Sequence, residues 1–156
     1  MGTKAPRRFD SPEQEAFLNL WRTYDRLRAL EDELFAAFEL TPQQYNLLRL
    51  LKAARPDPVP TLTLAERLVS RAPDITRMLD KLEARGLIAR ERKPGDRRSV
   101  LVAVTAAGLD LLAKVAAPLR ACHARQLGHL TPDELERLTE LLKAARAPHE
   151  PSPTWK

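Results

Sequence analysis

The stretch that organises this chain is RAPDITRMLDKLEARGLIARERKPGDRR, residues 71–98. Its first half places apolar residues at helical spacing, and its second half holds the pair Pro94-Gly95 at the centre of a tight turn between two predicted strands. The stretch contains nine Lys or Arg against five Asp or Glu, whereas the whole chain contains 26 against 21. A short amphipathic helix followed by an arginine-tipped hairpin indicates a surface that reads DNA.

The predicted helix of this stretch covers residues 73–85 and has two distinct sides. The apolar side carries Ile75, Met78, Leu79 and Leu82, and the polar side carries Asp74, Thr76, Arg77, Asp80 and Lys81. Gly86 is expected to end the helix. Strands are predicted over residues 87–93 and 98–104, because apolar residues alternate in the second of them.

Four short motifs predict where helices begin. Each places a Ser or Thr three residues before a Glu or Gln, the capping box in which two free backbone N–H groups are satisfied reciprocally. The four hydroxyl residues are Ser11, Thr41, Thr63 and Thr131. Thr63 would begin a short helix over residues 64–69, which a turn at residues 70–72 joins to the helix at 73–85. Two helices joined in this way predict a helix-turn-helix unit.

Further helices are predicted on either side of this unit. They cover residues 12–37, Pro42–Ala54, Ala106–Leu127 with a kink at Pro118, and Pro132–Arg146. The last of them is expected to bury Leu135, Leu138, Leu141 and Leu142. The motif RPDPVP, residues 55–60, holds three prolines and predicts a linker.

The first helix carries a long apolar stripe that has two interpretations. The stripe consists of Phe17, Leu20, Trp21, Tyr24, Leu27, Leu34 and Phe38. A helix of roughly 26 residues exceeds the usual globular length, which suits a strut that packs on a partner chain. The alternative is a core helix of a single chain.

Bulk properties restrict the class of protein. The chain has 156 residues, of which 44% are hydrophobic, so it can bury one core. Its single cysteine, Cys122, cannot form an intrachain disulfide, which fits a reducing compartment. No apolar run approaches the ~18 residues of a membrane helix, and the start MGTKAPRRFDSPEQ lacks the apolar stretch of a secretory signal. We therefore expect a cytoplasmic protein.

Two adjacent segments resemble the MarR family (multiple antibiotic resistance regulators). GDRRSVLVAVTAAG, residues 95–108, is similar to the wing signature of that family, Asp-x-Arg-Ser/Ala followed by alternating apolar residues and Thr-x-x-Gly. ITRMLDKLEARGLIARE, residues 75–91, is similar to its recognition helix and first wing strand. The order of predicted elements over residues 11–146 agrees with the family as well. The resemblance implies a mainly α fold with a small antiparallel β-hairpin, a winged helix-turn-helix flanked by dimerisation helices.

The resemblance also implies a division of the chain and a function. Residues 11–40 would form an N-terminal dimerisation helix, 41–105 the DNA-binding domain, 106–146 the C-terminal dimerisation helices and 147–156 a disordered tail. The homodimer would place two recognition helices in successive major grooves of a pseudo-palindromic operator, with the wings in the minor grooves. Many such regulators are repressors that a small, often aromatic or anionic, ligand releases from DNA.

In the wing, the resemblance assigns roles to individual side chains. Arg98 would enter the minor groove, where narrow A·T-rich segments concentrate negative potential. Asp96 would orient the Arg98 guanidinium through a charge-assisted hydrogen bond, or alternatively shape the turn. Phosphate contacts, which position without specifying sequence, are expected from Arg90, Arg92, Lys93 and Arg97.

On the recognition helix, Arg77 is the best candidate for reading a base, because Arg can grip the O6 and N7 acceptors of guanine. Thr76 and Asp74 are secondary candidates, and Lys81 on the same polar side belongs to the predicted DNA-binding set. Asp74 either accepts from a cytosine amino group or stabilises the first helical turn. Arg71 in the preceding turn and Pro73 at the helix start complete the predicted DNA-binding set.

The sequence says less about an effector. Trp21, Tyr24, Arg28 and Tyr45 are candidates for a ligand pocket, although a helical stripe of aromatic residues also fits a core. Cys122 lies on an apolar stripe, which favours a buried inert thiol over a redox sensor. The three histidines show no ligand spacing for a metal. We therefore expect no cofactor.

Two other classes of protein compete with a DNA-binding regulator. A winged-helix domain that mainly contacts protein would carry the basic wing incidentally, and the salt dependence of DNA affinity separates the two. An enzyme is not expected, because the chain lacks a glycine-rich phosphate loop, a metal cluster and a supported catalytic triad.

Overall fold

The computed structural model describes residues 8–69, 74–96 and 99–150, and in this part the chain is mainly helical with one small antiparallel sheet. The fold class predicted from the sequence is confirmed. In chain order the elements are α1 (Pro12–Ala36), α2 (Pro42–Ala54), β1 (Val59–Pro60), α3 (Thr61–Arg67), α4 (Ile75–Ala84), β2 (Ile88–Arg92), β3 (Val100–Val104), α5 (Ala106–Leu127) and α6 (Pro132–Arg146). Helices α2, α5 and α6 have the predicted bounds.

Side-chain caps begin α1, α2 and α6, as the capping motifs predicted. The hydroxyls of Ser11, Thr41 and Thr131 accept a hydrogen bond from the backbone N–H three residues later, at 3.0, 3.1 and 3.2 Å. In α2 and α6 the reciprocal bond is present as well, because Gln44 and Glu134 accept from the N–H of the cap residue. These bonds satisfy N–H groups that the helix leaves free and fix where each helix begins.

The predicted cap at Thr63 is wrong. Helix α3 begins at Thr61, directly after Pro60, without a side-chain cap bond among the described residues. The reason is that the chain enters α3 from strand β1, which pairs with β3, while the Thr61 hydroxyl donates to the carbonyl oxygen of Val100 at 3.1 Å. The segment predicted as a linker, residues 55–60, therefore ends in a strand.

The described strands are ordered β1-β3-β2, and both pairings are antiparallel. Strands β2 and β3 form the predicted hairpin, with Ile88 opposite Val104 and Arg92 opposite Val100. The inner end of the hairpin is buried at Ile88, whereas Arg92 is exposed. The hairpin thus carries its charged tip into solvent.

The core collects side chains from helices of both flanks and from the sheet. Its largest fully buried members are Phe35, Leu47, Leu48, Leu51, Leu64, Leu79, Leu82, Val102 and Val115. The predicted division of α4 is confirmed, because Met78, Leu79 and Leu82 are buried and Ile75 packs against the core. The core therefore fixes α4 and the hairpin in one packed unit.

Helix α6 differs from the prediction. Four of its leucines were expected to be buried, but none of the residues Pro132–Arg146, all of which the structure describes, is buried. Leu141 and Leu142 are 51% and 36% exposed, and Leu135 and Leu138 are half-buried. The prediction failed because an apolar helical stripe indicates an apolar face without establishing that the same chain covers it.

Helix α1 is divided along its length. Its second half enters the core through Phe35, and Leu34 packs against that core. Its first half carries Phe17, Trp21 and Tyr24 on the surface, exposed by 62%, 62% and 61%. The core interpretation of the stripe therefore holds for the second half, while the first half is an uncovered apolar face.

Helix α5 packs along α1 and continues through Pro118 to Leu127. The buried Gln126 joins the two helices, because its Nε2 donates to the carbonyl oxygen of Leu27 at 2.9 Å. This bond gives a buried amide a partner and fixes the position of α5 along α1.

After α6 the chain forms a 3-10 turn over Ala147–His149, and Arg146 pairs with Glu150 at 2.8 Å between Nε and Oε1. The described chain thus extends into the segment predicted as a disordered tail, of which residues 151–156 lie outside the described ranges. Within the described ranges, no helix combines the length and the apolar character needed to cross a membrane.

Candidate nucleic-acid interface

The exposed side of α4 carries the side chains predicted to read bases. Thr76, Arg77 and Lys81 are exposed, whereas the opposite side of the helix is buried in the core. Because the core holds the buried side of α4 in place, the backbone positions of the exposed side chains are fixed relative to any DNA groove that they would enter. Arg71 and Pro73, which were predicted to accompany them, lie outside the described residues.

Asp74 caps α4 in the structure. Its Oδ1 accepts a hydrogen bond from the backbone N–H of Arg77 at 3.0 Å, and the helix begins at Ile75 instead of at the predicted residue 73. A carboxylate at this position satisfies a free N–H group and interacts favourably with the helix dipole. The geometry therefore supports the helix-stabilising alternative for Asp74.

Arg90 on β2 makes the densest set of ionic contacts with α4. Its Nη2 lies 2.6 Å from Asp80 Oδ1 and 3.0 Å from Glu83 Oε1, and its Nε donates to Glu83 Oε2 at 3.3 Å. The hydrogen bond from Arg90 lowers the pKa of the Glu83 carboxyl, and the same bond raises the pKa of Arg90. The side chain of Arg90 is only 22% exposed. Its guanidinium, predicted to hold phosphate, is thus directed to carboxylates of its own chain.

The turn of the wing is closed by Asp96 and Ser99. The Ser99 hydroxyl donates to Asp96 Oδ2 at 2.9 Å, and the backbone N–H of Asp96 donates to the carbonyl oxygen of Lys93 at 3.1 Å. Gly95 has a φ of 83°, a left-handed conformation that suits glycine. These bonds support a turn-shaping role for Asp96. Its predicted bond to Arg98 lies outside the described residues, as does the predicted phosphate contact of Arg97.

Arg92 and Lys93 lie at the exposed end of β2, where they were predicted to contact phosphate. Thr105 at the other end of the hairpin joins the wing to α4. Its hydroxyl donates to the carbonyl oxygen of Gly86 at 2.6 Å and accepts from the backbone N–H of Gly108 at 3.1 Å. Thr105 is therefore the cap of α5, and its bond to Gly86, just beyond the end of α4, joins positions 19 apart in the chain. Wing and recognition helix are thus joined by Thr105 at the base of the hairpin and by Arg90 in the middle of β2.

The four predicted ligand-binding residues do not meet in one place within the chain. Trp21 and Tyr24 line an open groove of about 510 Å³ on the first half of α1. Arg28 pairs with Asp32 at 3.4 Å. Tyr45 stacks on Phe35 at a centroid distance of 4.9 Å and packs against the core, which raises its pKa. Phe35 lies about 21 Å beyond Trp21 along the axis of α1.

Cys122 is buried on α5, with 4% of its surface exposed. Burial, followed by the charge of Glu31, raises the pKa of its thiol, which disfavours the reactive thiolate. This environment supports the inert thiol expected from the sequence. In the part of the chain that the structure describes, no three His, Cys, Asp or Glu side chains are grouped as a metal site.

Comparison with known proteins identifies the fold as that of a regulator family. The sequence profile of the MarR family matches residues 40–100, which extend from the connection between α1 and α2 to the start of β3. An uncharacterized HTH-type transcriptional regulator of Bacillus subtilis strain 168, YkoM, is 32% identical over 144 residues, which cover 88% of this chain and 90% of the relative. The chain belongs to the MarR family. MarR-family proteins are transcription regulators that bind DNA and are not enzymes, as the sequence predicted.

Two solved structures extend the comparison. A MarR transcription factor from Planctomyces limnophilus is 56% identical, with a TM-score of 0.70 and a match that covers 88% of this chain and 99% of that chain. A mutant MarR from E. coli complexed with operator DNA is 26% identical, with a TM-score of 0.72 and coverage of 81% and 89%. The sequence resemblance to the MarR family is thus confirmed over the DNA-binding unit and the helices that flank it.

Proposed function

We propose that this chain is a cytoplasmic, homodimeric transcription repressor that binds a pseudo-palindromic operator and responds to a small ligand. The observation that carries the proposal is the exposed polar side of α4, held beside the wing by Arg90 and Thr105 on a packed core. A helix with this division is sized for the major groove, and the hairpin beside it reaches towards the adjacent minor groove. The mutant MarR of E. coli, which was crystallised in complex with operator DNA, supports operator binding by this chain.

In this proposal α4 specifies the sequence. Arg77 donates both guanidinium N–H groups of one edge to a guanine, while Thr76 contacts a neighbouring base and Lys81 contacts a phosphate. Arg92, Lys93 and Arg97 hold phosphates at the wing, and Arg98 enters the minor groove. Asp74 acts through the helix start, since its carboxylate is already engaged by the backbone N–H of Arg77.

The proposed dimer forms through the helices that flank the DNA-binding unit. Phe17, Trp21 and Tyr24 on α1 and Leu141 on α6 are each more than half exposed in the single chain. Apolar side chains in this number on two helices support a surface that a second copy covers, because exposed apolar patches mark interaction sites. In this proposal residues 11–40 and 106–146 form the dimer and residues 41–105 bind DNA.

The proposed effector is a small aromatic or anionic molecule. The groove lined by Phe17, Leu20, Trp21 and Tyr24 belongs to the proposed dimer surface, so an apolar aromatic ligand would bind between this groove and the partner chain. Tyr45 belongs to a separate, core-facing position, so we place it outside this groove.

The experiment that tests the proposal is footprinting of the purified chain on the DNA upstream of its own gene, followed by a titration of affinity against salt. A specific binder protects a two-part site, and its affinity falls steeply and linearly on a double-logarithmic plot as salt releases counterions. Binding without a protected site, or affinity that is independent of salt, contradicts the proposal and favours a protein-interaction module.

A pair of variants distinguishes a base-specific contact from the electrostatic attraction of any cation to DNA. Arg77→Ala is expected to lose about 1–3 kcal/mol and to relax the base preference at one operator position, because a bidentate contact is removed. Lys81→Ala, which removes the same charge from the same exposed side, is the matched control and should weaken binding without altering preference. A binding-site selection with Arg77→Ala that recovers the unaltered operator contradicts the assigned role.

A further inference from the structure

The last turn of α1 ends in a left-handed residue. The backbone N–H of Leu40 donates to the carbonyl oxygen of Phe35, and that of Glu39 donates to Ala36, both at 3.0 Å. This pair of bonds is the Schellman motif, whose left-handed position usually holds glycine. Here Glu39 occupies it with a φ of 53°. The backbone at this end of α1 therefore adopts a conformation that its own side chain does not favour.

The recognition helix ends in the same way. The N–H of Leu87 donates to the carbonyl oxygen of Leu82 at 3.0 Å, and Gly86, with a φ of 71°, takes the left-handed position. Arg85 is the cap residue of this end. Both helix ends present backbone carbonyl groups and carry the partial negative charge of a helix C-terminus.

Arg85 lies between the two helix ends and bonds to the end of α1. Its Nη1 donates to the carbonyl oxygen of Glu39 at 2.6 Å, and its Nη2 donates to that of Phe38 at 3.4 Å. A cation at this point interacts favourably with the C-termini of both helices, and its bonds to carbonyl oxygens are charge-assisted. Arg85 is 46 positions from Glu39 and 47 positions from Phe38 in the chain.

Directional bonds of this kind restrict motions that apolar contacts leave open. Met78, Leu79 and Leu82 hold α4 against the core, but apolar burial is non-directional and tolerates small sliding or rotation. Hydrogen bonds depend on distance and angle, so the two bonds of Arg85 fix the end of α4 relative to the end of α1.

We propose that Arg85 is a positioning residue for DNA binding, which ties the recognition helix to the dimer helix α1 and so sets the separation of the two recognition helices. The inference rests on the proposed dimeric function, because α1 would carry the partner subunit. One base pair of operator spacing shifts a half-site by about 3.4 Å along the DNA and about 34° around it. A fixed α4 should therefore discriminate between spacings that a loosened α4 tolerates.

The test compares affinities for the natural operator and for operators with one base pair inserted or removed between the half-sites. The wild-type chain should discriminate against the altered spacings, and Arg85→Ala should lower that ratio by about tenfold, the scale of one hydrogen bond to a charged group. Arg55→Ala removes an exposed arginine near the end of α2 and should keep the wild-type ratio. Arg85→Lys, which retains the charge and one donor group, should give an intermediate ratio.

Thermal unfolding of each variant checks that it is folded, and Arg85→Lys provides the comparison if Arg85→Ala does not fold. A loss of affinity that is equal at all spacings, or the wild-type ratio in both Arg85 variants, overturns the inference. Wild-type protein that protects no operator contradicts the proposed function itself, and the two failures are therefore distinguishable.

Discussion

A guanidinium on a DNA-binding surface has two kinds of anionic partner, the phosphates of DNA and the carboxylates of its own chain. Arg90 has the second kind, since Asp80 and Glu83 lie on the exposed side of the recognition helix within 3.0 Å of its Nη2. Those carboxylates would repel phosphate if they were left without a cation. The charge of Arg90 therefore neutralises these carboxylates and joins β2 to α4.

Charge rescue tests this role. Arg90→Ala should weaken DNA binding about tenfold or more, because two carboxylates then face the DNA without a partner. Adding Asp80→Asn and Glu83→Gln should restore most of the affinity, as measured by titration at fixed salt. Arg92→Ala, on the exposed end of the same strand, is the control whose loss those two changes should not repair. If the Arg90 variant behaves like the Arg92 variant, a direct phosphate contact is the better account.

Gly108, in the first turn of α5, lies against the backbone of Leu87 at the base of the wing. A Cβ there would lie inside contact distance of the Leu87 carbonyl oxygen and 2.6 Å from Val104 Cγ2. We expect Gly108→Ala to lower the free energy of unfolding by about 2 kcal/mol, although alanine favours a helix, because the backbone of Leu87 cannot move aside. Ala107→Ser, exposed on the same turn, should change it by less than about 0.5 kcal/mol. Chemical denaturation of both variants measures this, and equal stability of the two would contradict the packing argument.

At the scale of elements, helix ends depend on bonds between near neighbours or on bonds across the fold. Thr41 and Thr131 cap helices through residues three positions away, and those ends are encoded locally. Helix α3 begins where β1 leaves the sheet, and its start depends on Val100, 39 positions away. The same local motif is therefore a cap in one place and an interior segment in another.

A pair of threonine variants checks this distinction. Thr41→Ala should lower the free energy of unfolding by about 1 kcal/mol, because it removes one side of a capping box. Thr63→Ala should change it by less than about 0.5 kcal/mol, since Thr63 lies inside α3 and caps nothing among the described residues. Thermal and chemical denaturation provide the measurement. A larger loss at Thr63 than at Thr41 would mean that α3 begins where the sequence motif placed it.

The sequence predicted most elements because their signals are local. Helical spacing and caps placed α2, α5 and α6, and the alternating valines placed the hairpin. Strand β1 was missed because two residues that include a proline carry no strand signal. The contacts of Arg85 with the end of α1, and of Arg90 with α4, were missed because they join residues that only the fold brings together. The exposed leucines of α6 were misassigned because periodicity does not identify the covering chain.

At the scale of the whole molecule, a basic surface and an apolar surface lie on different parts of the chain. Basic residues gather on α4 and the wing, which would face DNA. Apolar side chains remain uncovered on the first half of α1 and on α6, at the flanks of that unit. Because Arg85 joins α4 to α1, a change at the flank would reach the recognition helix through backbone carbonyl groups.

A variant on the exposed apolar face of α1 tests whether this face is a dimer interface. Trp21→Glu places a charge where the proposed partner chain would cover an indole that is 62% exposed in the single chain. We expect the variant to dissociate into single chains and to lose operator affinity while its helical content is unchanged, because a buried unpaired charge opposes association. Glu13→Ala, on the exposed polar part of the same helix, is the control and should remain a dimer.

Light scattering of the wild-type protein, free and bound to an operator duplex, tests most directly whether the chain binds DNA as a dimer. We expect a free mass of twice the 17.6 kDa chain and two chains on each duplex that contains both half-sites. A free mass of one chain, together with one chain bound per duplex, would contradict this expectation.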